Sequence, residues 1–306
     1  MFFARLYNAG MRPFLAALLL AAAPAWAQAP AVSVGTGSSH YIWQVSSMTN
    51  RIYLFGTVHA GKASWYPFPD VVDKAIDESR VIAVEADITN REAMSKSADA
   101  MTYTPPDVLA KHVKPADYVR FQKLLAKYAI PESTMTPLKP FMAVSLLVFS
   151  EWGRLGYLPG YGVDLQVLVK ARAQQKKIVE LEGVAVQIAL MESLTEQENS
   201  ELFAGTLGAL ESGLSAEQIT GIVNAWQAGD PKLLLEIASK YNTEVPGAKA
   251  FEEKFIWSRH PDMLKKIEGY LASKDRTFVA VGALHLAGER GLIEMLKKRG
   301  YAVKQL

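Results

Sequence analysis

Two histidines end the same short motif at distant points of the chain. A Gly-x-x-His motif ending in His59 follows the apolar run Ile52–Phe55, and a second one ending in His285 follows the apolar run Thr277–Val281. The β-branched and aromatic residues of these runs favour buried strands. Because ligands bind at the carboxyl ends of strands in open α/β sheets, we predict that both imidazoles lie on one rim. There they can transfer protons or bind a metal ion.

Three carboxylates occupy comparable positions. Glu85 follows the apolar run Val81–Val84, and the strand, helix and second strand in this region predict a βαβ unit whose rim carries both Glu85 and His59. Glu182 ends a short predicted strand, and Asp164 lies in the first turn of a predicted helix. A solvated strand end is the alternative for Glu85, and an interaction with the helix dipole is the alternative for Asp164.

Several common catalytic motifs do not occur in the sequence. There is no Gly-x-Ser-x-Gly, no His-Glu-x-x-His and no phosphate-binding loop. The chain has no cysteine, which excludes disulfides and thiolate metal ligands. Any chemistry must therefore use His, Glu, Asp and Arg side chains.

Composition and element order predict the fold class. Half of the residues are hydrophobic and the formal net charge is +2, so a large core is available and no nucleic-acid partner is indicated. The element order predicts an α/β fold with a mixed, largely parallel central sheet, built from both ends and the middle of the chain. Two helical insertions, about 91–156 and 191–274, are expected to form a cap over the rim of the sheet.

The first 27 residues are predicted to be a secretory signal peptide. Arg5 and Arg12 accompany an apolar run over 13–25, and small residues stand at positions −3 and −1 before a cleavage site after Ala27. The alternative is a membrane anchor, for which the run is too short to span comfortably. We therefore expect a periplasmic or secreted product, residues 28–306, without a stable membrane anchor.

The motifs together resemble the TraB/GumN/TIKI family, and most of all its GumN-like bacterial branch. They follow the family's order over essentially the whole of residues 28–306. The segments that carry the resemblance are Leu54-Phe55-Gly56-Thr57-Val58-His59, Val84-Glu85-Ala86-Asp87, Gly162-Val163-Asp164, Leu181-Glu182 with Gln187, Arg259, and Val281-Gly282-Ala283-Leu284-His285-Leu286 with Gly288.

This resemblance implies a fold like that of TIKI, TraB and the haem-uptake ChaN proteins, with the paired motifs around an active site. For the animal branch it implies a metal-dependent, membrane-tethered protease, while bacterial branches are linked to peptide pheromone shutdown and polysaccharide gene clusters. The sequence departs from the animal branch in lacking a membrane anchor. It also has Glu182-Gly183 where many relatives carry Glu-Thr.

The metal site is carried over from the resemblance. It implies that His59, His285 and Glu85 hold a divalent metal ion, Mn, Co or Zn, and leave open positions for water and substrate. Such an ion lowers the pKa of a bound water. The expected function is an exported metal-dependent hydrolase of peptidase type, acting on a peptide or another small-molecule substrate.

The resemblance also implies catalytic roles for Glu85, Glu182 and Arg259, and substrate-binding roles for Asp87 and Asp164. Glu182 or Asp87 would orient a ligating histidine or accept the proton of the water. Arg259 would clamp a substrate carboxylate or stabilise an oxyanion. The alternative for Arg259 is a salt bridge to Asp87 or Glu85.

Two other functions are compatible with the same histidines. A metal-independent hydrolase would use His59 as general base and His285 as electrostatic partner, as a similarity to the erythromycin-esterase group suggests. A periplasmic protein that binds haem, metal or glycan would use the histidines as ligands without catalysis.

Overall fold

The computed structural model describes residues 40–306. The predicted signal peptide, residues 1–27, lies outside the described residues. Six strands form one sheet in the order β4-β3-β5-β2-β1-β6. Their bounds are β1 Ile42–Ser46, β2 Arg51–Thr57, β3 Val81–Val84, β4 Lys177–Glu180, β5 Thr277–Gly282 and β6 Ala302–Gln305.

Most of the sheet is parallel. Strand β5 pairs in parallel with both β2 and β3, and β4 extends the parallel part beyond β3. Strand β1 pairs antiparallel with β2 and with β6. The predicted α/β class with a mixed, largely parallel sheet is confirmed.

Helices surround the sheet and fill the long connections between its strands. Their bounds are α1 Asp70–Glu78, α2 Arg91–Ala100, α3 Pro115–Lys127, α4 Glu132–Met135, α5 Pro140–Arg154, α6 Val163–Ala173, α7 Val184–Glu192, α8 Glu196–Ser212, α9 Leu214–Gln227, α10 Pro231–Glu244, α11 Ala248–Phe255, α12 His260–Ala272 and α13 Leu292–Lys298. No helix in residues 40–306 is both long and apolar enough to cross a membrane.

Both faces of the sheet are covered, because side chains alternate along each strand. In β2, Ile52 and Leu54 pack with α12 and α13 on one face. Tyr53 and Phe55 point to the other face and pack with α1 and α6. This two-sided burial explains why the sequence of β2 is almost continuously apolar.

The predicted helical insertions have a core of their own. Helices α3 and α5 from the first insertion pack against α8 from the second, in an apolar cluster separate from those of the sheet. The rings of Phe121 in α3 and Phe203 in α8 lie 5.4 Å apart, centroid to centroid. The two insertions are thus joined through their side chains.

Candidate active site

The two Gly-x-x-His motifs lie side by side at the carboxyl ends of β2 and β5. Thr57 and Gly282 are register partners in this parallel pair, so both chains leave the sheet at the same level. His59 follows in the loop after β2, and His285 lies in a 3₁₀ turn, Ala283–Leu286, directly after β5. The structure therefore places both predicted histidines on one rim.

The glycines of the motifs are required by close contacts. A Cβ atom on Gly56 would lie 2.3 Å from the ring of Tyr41, whose hydroxyl group donates a hydrogen bond to the backbone oxygen of Ala283. A Cβ atom on Gly282 would lie 3.3 Å from a carboxylate oxygen of Glu85. Residues without side chains at these positions let the rim close tightly around the functional groups.

His59 is held by Asp164. Its Nδ1 atom lies 2.9 Å from Oδ2 of Asp164, in the first turn of α6. The start of α6 is fixed to the same loop, because the backbone N–H of Val163 donates to the backbone oxygen of Val58 at 2.8 Å. A Cβ atom on Gly162 would lie 2.6 Å from the backbone oxygen of His59, so glycine is needed there too. Asp164 thus orients His59 instead of serving only as a helix cap.

His59 is accessible at the rim. Its side chain is 61% exposed. The charge of Asp164 is the main reason that the pKa of His59 is raised to about 9, against the opposing effect of desolvation. Its Nε2 atom has no hydrogen-bond partner among residues 40–306. An accessible nitrogen on a fixed ring suits contact with a substrate, a water or a metal ion.

Glu85 is almost buried at the end of β3. Its Oε1 atom accepts a hydrogen bond from the backbone N–H of Gly282 at 2.6 Å, and its Oε2 atom accepts one from Arg259 at 2.5 Å. Gln187 in α7 donates a longer bond of 3.3 Å to Oε2. Burial raises the pKa of Glu85, but His285, once protonated in acid, together with the Arg259 charge and the Gly282 N–H outweighs burial and lowers it to about 2. Glu85 is therefore ionised at neutral pH.

Arg259 joins the buried acidic groups. Its Nε and Nη2 atoms bind the carboxylate of Glu182, and Nη2 also donates to Glu85. Its Nη1 atom donates to the backbone oxygen of Phe255 at 2.8 Å and to Nε2 of His285 at 3.2 Å. All five N–H groups of the guanidinium are thereby used. The salt bridge considered from sequence is present, with Glu182 as an additional partner, and no N–H is left for a substrate in this arrangement.

Glu182 is the carboxylate that Arg259 binds through both of its oxygens. Only 6% of its side chain is exposed, and both carboxylate oxygens accept hydrogen bonds from Arg259. Its backbone N–H and that of Gly183 donate to the backbone oxygen of Glu85, which ties the two acidic segments together. Glu182 therefore positions Arg259. No hydrogen bond links its carboxylate to a histidine within the described part of the chain.

His285 has a partner that sequence reasoning missed. Its Nδ1 atom lies 2.9 Å from Nε2 of His260, the first residue of α12. Nδ1 of His260 in turn lies 2.8 Å from the backbone oxygen of Arg290. Burial is the main reason that the pKa of His285 is lowered to about 3, so its ring is neutral at neutral pH. The position of His260 directly after Arg259 was the only signal in the sequence.

Asp87 belongs to a different group of contacts. Its carboxylate pairs with Arg172 at 2.5 Å and accepts hydrogen bonds from the backbone and hydroxyl of Thr89. Its backbone N–H donates to Glu180. These bonds connect the loop after β3 to α6 and β4. No ion pair or hydrogen bond of residues 40–306 joins Asp87 to Arg259 or to either rim histidine.

The family of the chain can be established by comparison. The model of the TraB/PrgY/gumN family matches residues 41–305. The chain belongs to this family. The resemblance seen in the motifs is thereby confirmed over nearly all of the residues that the structure describes.

Individual members of the TraB/PrgY/gumN family show what the chain is similar to. It is 24% identical over 264 residues to the uncharacterized protein YbaP of Escherichia coli strain K12, covering 85% of this chain and 94% of YbaP. It is 25% identical over 331 residues to a metalloprotease TIKI homolog of Amphimedon queenslandica, covering 89% of this chain and 64% of that protein. No solved structure matches the chain.

The fit of a metal ion can be judged from the donor atoms. His59 and His285 both have Nδ1 held by a partner, which is the usual arrangement of a metal-binding histidine that coordinates through Nε2. Glu85 is ionised. By residue type these three donors suit a divalent cation, provided that His59, whose pKa is raised to about 9, releases its Nε2 proton to the solvent on binding. They are not assembled, however: among residues 40–306 no group of three His, Cys, Asp or Glu side chains is arranged to hold an ion.

Arg259 occupies atoms of two of the three predicted metal ligands. Its guanidinium binds Oε2 of Glu85 and Nε2 of His285, the atoms that a shared ion would need. A positive charge therefore already contacts Glu85 and His285, two of the three predicted ligands. The metal assignment of His59, His285 and Glu85 stays a proposal, and the identity of the metal, Mn, Co or Zn, is part of it.

Proposed function

We propose that this member of the TraB/PrgY/gumN family is an exported hydrolase that cleaves peptide bonds with a water molecule at the rim of the sheet. The observation that carries the proposal is the pairing of two histidines at the ends of adjacent strands, each held at Nδ1 by another side chain. The name of the Amphimedon relative, a metalloprotease, supports peptides as the substrate class and a divalent metal as cofactor.

In this proposal His59, His285 and Glu85 are the residues that would hold the metal, which when bound supplies a water of lowered pKa. Asp164 orients His59 and, when the ring is neutral, accepts its Nδ1 proton, which leaves the Nε2 lone pair for the site. Glu182 and Arg259 form a buried ion pair that holds Glu85 ionised and in place. The exposed side chain of His59 gives a substrate access to the rim.

A second candidate is a hydrolase that needs no metal. It is favoured by the contact of Arg259 with Glu85 and His285, which provides a positive charge from the chain itself. The pair of His59 and Asp164 would then transfer protons between water, substrate and leaving group. With its pKa raised to about 9, protonated His59 can donate a proton to a leaving amine at neutral pH.

The decisive experiment is hydrolysis of a peptide library by purified residues 28–306. We compare wild type, His59→Ala and wild type treated with chelator, with Mn, Co or Zn added back. His112→Ala is the matched control, since His112 also contacts a carboxylate, that of Asp107, at 2.9 Å but belongs to the first helical insertion. We expect His59→Ala to lose about 10²–10⁴-fold in kcat and His112→Ala to keep the wild-type rate.

The outcomes separate the candidates. Loss of activity with chelator and recovery with one metal supports the metal-dependent hydrolase. Full activity with chelator together with loss in His59→Ala supports the metal-independent one. If His59→Ala and the chelated protein both cleave at the wild-type rate, the hydrolase proposal is wrong and a binding protein for haem, metal or glycan is preferred.

Export is a further part of the proposal. It rests on the positively charged residues Arg5 and Arg12, the apolar run over 13–25, and the small residues Ala25 and Ala27 at positions −3 and −1 of the cleavage site. The measurement is N-terminal sequencing of the protein from the periplasmic fraction and the medium. A product that begins at Gln28 supports export, whereas one that retains Met1 and sediments with membranes refutes it.

A further inference from the structure

We propose that His260 is a positioning residue that fixes the tautomer of His285 and so keeps the lone pair of its Nε2 atom directed towards Arg259 and Glu85. The inference extends the proposed function, because it explains how a buried imidazole is kept ready as a ligand or base. It concerns a residue outside the paired Gly-x-x-His motifs, at the start of α12.

A chain of hydrogen bonds runs through the two imidazoles. Its members are the guanidinium of Arg259, Nε2 and then Nδ1 of His285, Nε2 and then Nδ1 of His260, and the backbone oxygen of Arg290. The three contacts measure 3.2, 2.9 and 2.8 Å in that order. Each imidazole thus has both ring nitrogens engaged.

The donor at one end of this series of hydrogen bonds and the acceptor at its other end determine the position of every ring proton. A guanidinium can only donate, so Nε2 of His285 must accept from Arg259. A backbone oxygen can only accept, so Nδ1 of His260 must carry a proton and donate to Arg290. With one proton on each neutral ring, Nδ1 of His285 donates to Nε2 of His260. Only this arrangement satisfies all three contacts.

Other contacts of His285 do not compete with this assignment. Its Nε2 atom is 3.6 Å from Oε1 of Glu85, which is too long for a hydrogen bond. Both His260 and His285 are 2% exposed, so bulk water is not a ready substitute partner. Trp257 packs edge-on to the ring of His260 at 5.3 Å and fixes its orientation. The lone pair on Nε2 of His285 is therefore fixed by two contacts, the Arg259 donor at Nε2 and the acceptor that His260 supplies to Nδ1.

The tautomer can be read by nuclear magnetic resonance with ¹⁵N-labelled histidine, because the chain has five histidines in total and single substitutions assign their signals. In wild type we expect His285 to show a protonated Nδ1 and an unprotonated Nε2. An Nε2–H form of His285 in wild type would overturn the proposal directly. This spectrum is recorded without substrate, so it stands or falls separately from peptide hydrolysis.

Two matched variants test the part played by His260. The carboxamide of His260→Gln reaches about as far as Nε2 of histidine and can accept from His285. The carboxamide of His260→Asn reaches only as far as Nδ1, so it can still donate to Arg290 but leaves His285 without its acceptor. We expect the wild-type tautomer of His285 in His260→Gln and a shift towards the Nε2–H tautomer in His260→Asn.

Kinetics provide a second measurement. Loss of a partner that orients a ligating histidine typically costs about 10–100-fold, so we expect kcat to fall by that factor in His260→Asn and to be largely retained in His260→Gln. Equal tautomer populations of His285 in the two variants would overturn the proposal. Should His260→Asn not fold, the wild-type signal of His260 decides the question: a protonated Nδ1 and an unprotonated Nε2 are expected, and an Nε2–H form of His260 would overturn the proposal.

Discussion

Replacing Arg259 by Met removes the cation that lies between two nearly buried carboxylates. The side chains of Glu85 and Glu182 are 13% and 6% exposed, so neither can be solvated in place of the lost guanidinium. Leaving one buried charge without its partner costs about 3–5 kcal/mol. We expect Arg259→Met to lower the free energy of unfolding by about 3–5 kcal/mol at pH 7.

The assay is urea unfolding followed by circular dichroism, with Arg290→Met as matched control. Arg290 also forms a two-bond pair with a carboxylate, that of Glu253, at 2.7 and 2.6 Å. That pair lies at the surface, where such an interaction contributes about 0–1 kcal/mol. A destabilisation by Arg259→Met no larger than that by Arg290→Met would refute the reasoning.

The pH dependence gives an independent check. Without Arg259, the two carboxylates raise each other's affinity for a proton, so the folded-state pKa of one lies above its unfolded value. The stability deficit of Arg259→Met should therefore be smaller at pH 5 than at pH 7. Adding Glu182→Gln to Arg259→Met removes one of the two charges and should restore part of the lost stability. A deficit that does not change with pH would argue against a buried like-charge pair.

Three further outcomes follow from the site. Since the folded-state pKa of Glu85 is depressed to about 2, wild type should lose stability as the pH falls from about 4.5 to 2, and Glu85→Gln should lack this component in acid unfolding. Asp164→Asn should lower the pKa of His59 from about 9 towards 6.5, and an unchanged pKa in a nuclear magnetic resonance titration contradicts the pairing. Gly162→Ala should cost about 1–3 kcal/mol in thermal unfolding because of its close contact with the His59 backbone, whereas Gly160→Ala, with free space around it, should stay within about 0.5 kcal/mol.

The sequence predicted those parts of the site that depend on local pattern. Apolar runs that end in Gly-x-x-His indicated two strands and one shared rim, and β2 and β5 are neighbours in the sheet. Glu85 at the end of β3 also lies at this rim, where its carboxylate accepts a hydrogen bond from the backbone N–H of Gly282. Such predictions succeed because alternation and strand ends are properties of a few consecutive residues.

The partners of Arg259 were outside the reach of such patterns. Glu182 and Glu85 lie 77 and 174 residues from Arg259 along the chain, and only the folded structure brings them to one guanidinium. Asp87 is separated from Glu85 by one residue, yet its carboxylate accepts hydrogen bonds from Arg172 and Thr89 and, in the part of the chain that the structure describes, none from Arg259. His260 was missed because its position directly after Arg259 is equally compatible with an ordinary helix start.

The pairing of β2 with β5 also determines when the site can form. Tyr53 and Phe278 are register partners, although 225 residues separate them in the chain. During synthesis, β2 therefore emerges long before its parallel neighbour β5, so the edge that pairs with β5 is still unpaired. Contacts between such distant residues slow folding and prolong exposure to aggregation. Any activity at this rim is consequently withheld until nearly the whole chain has been made.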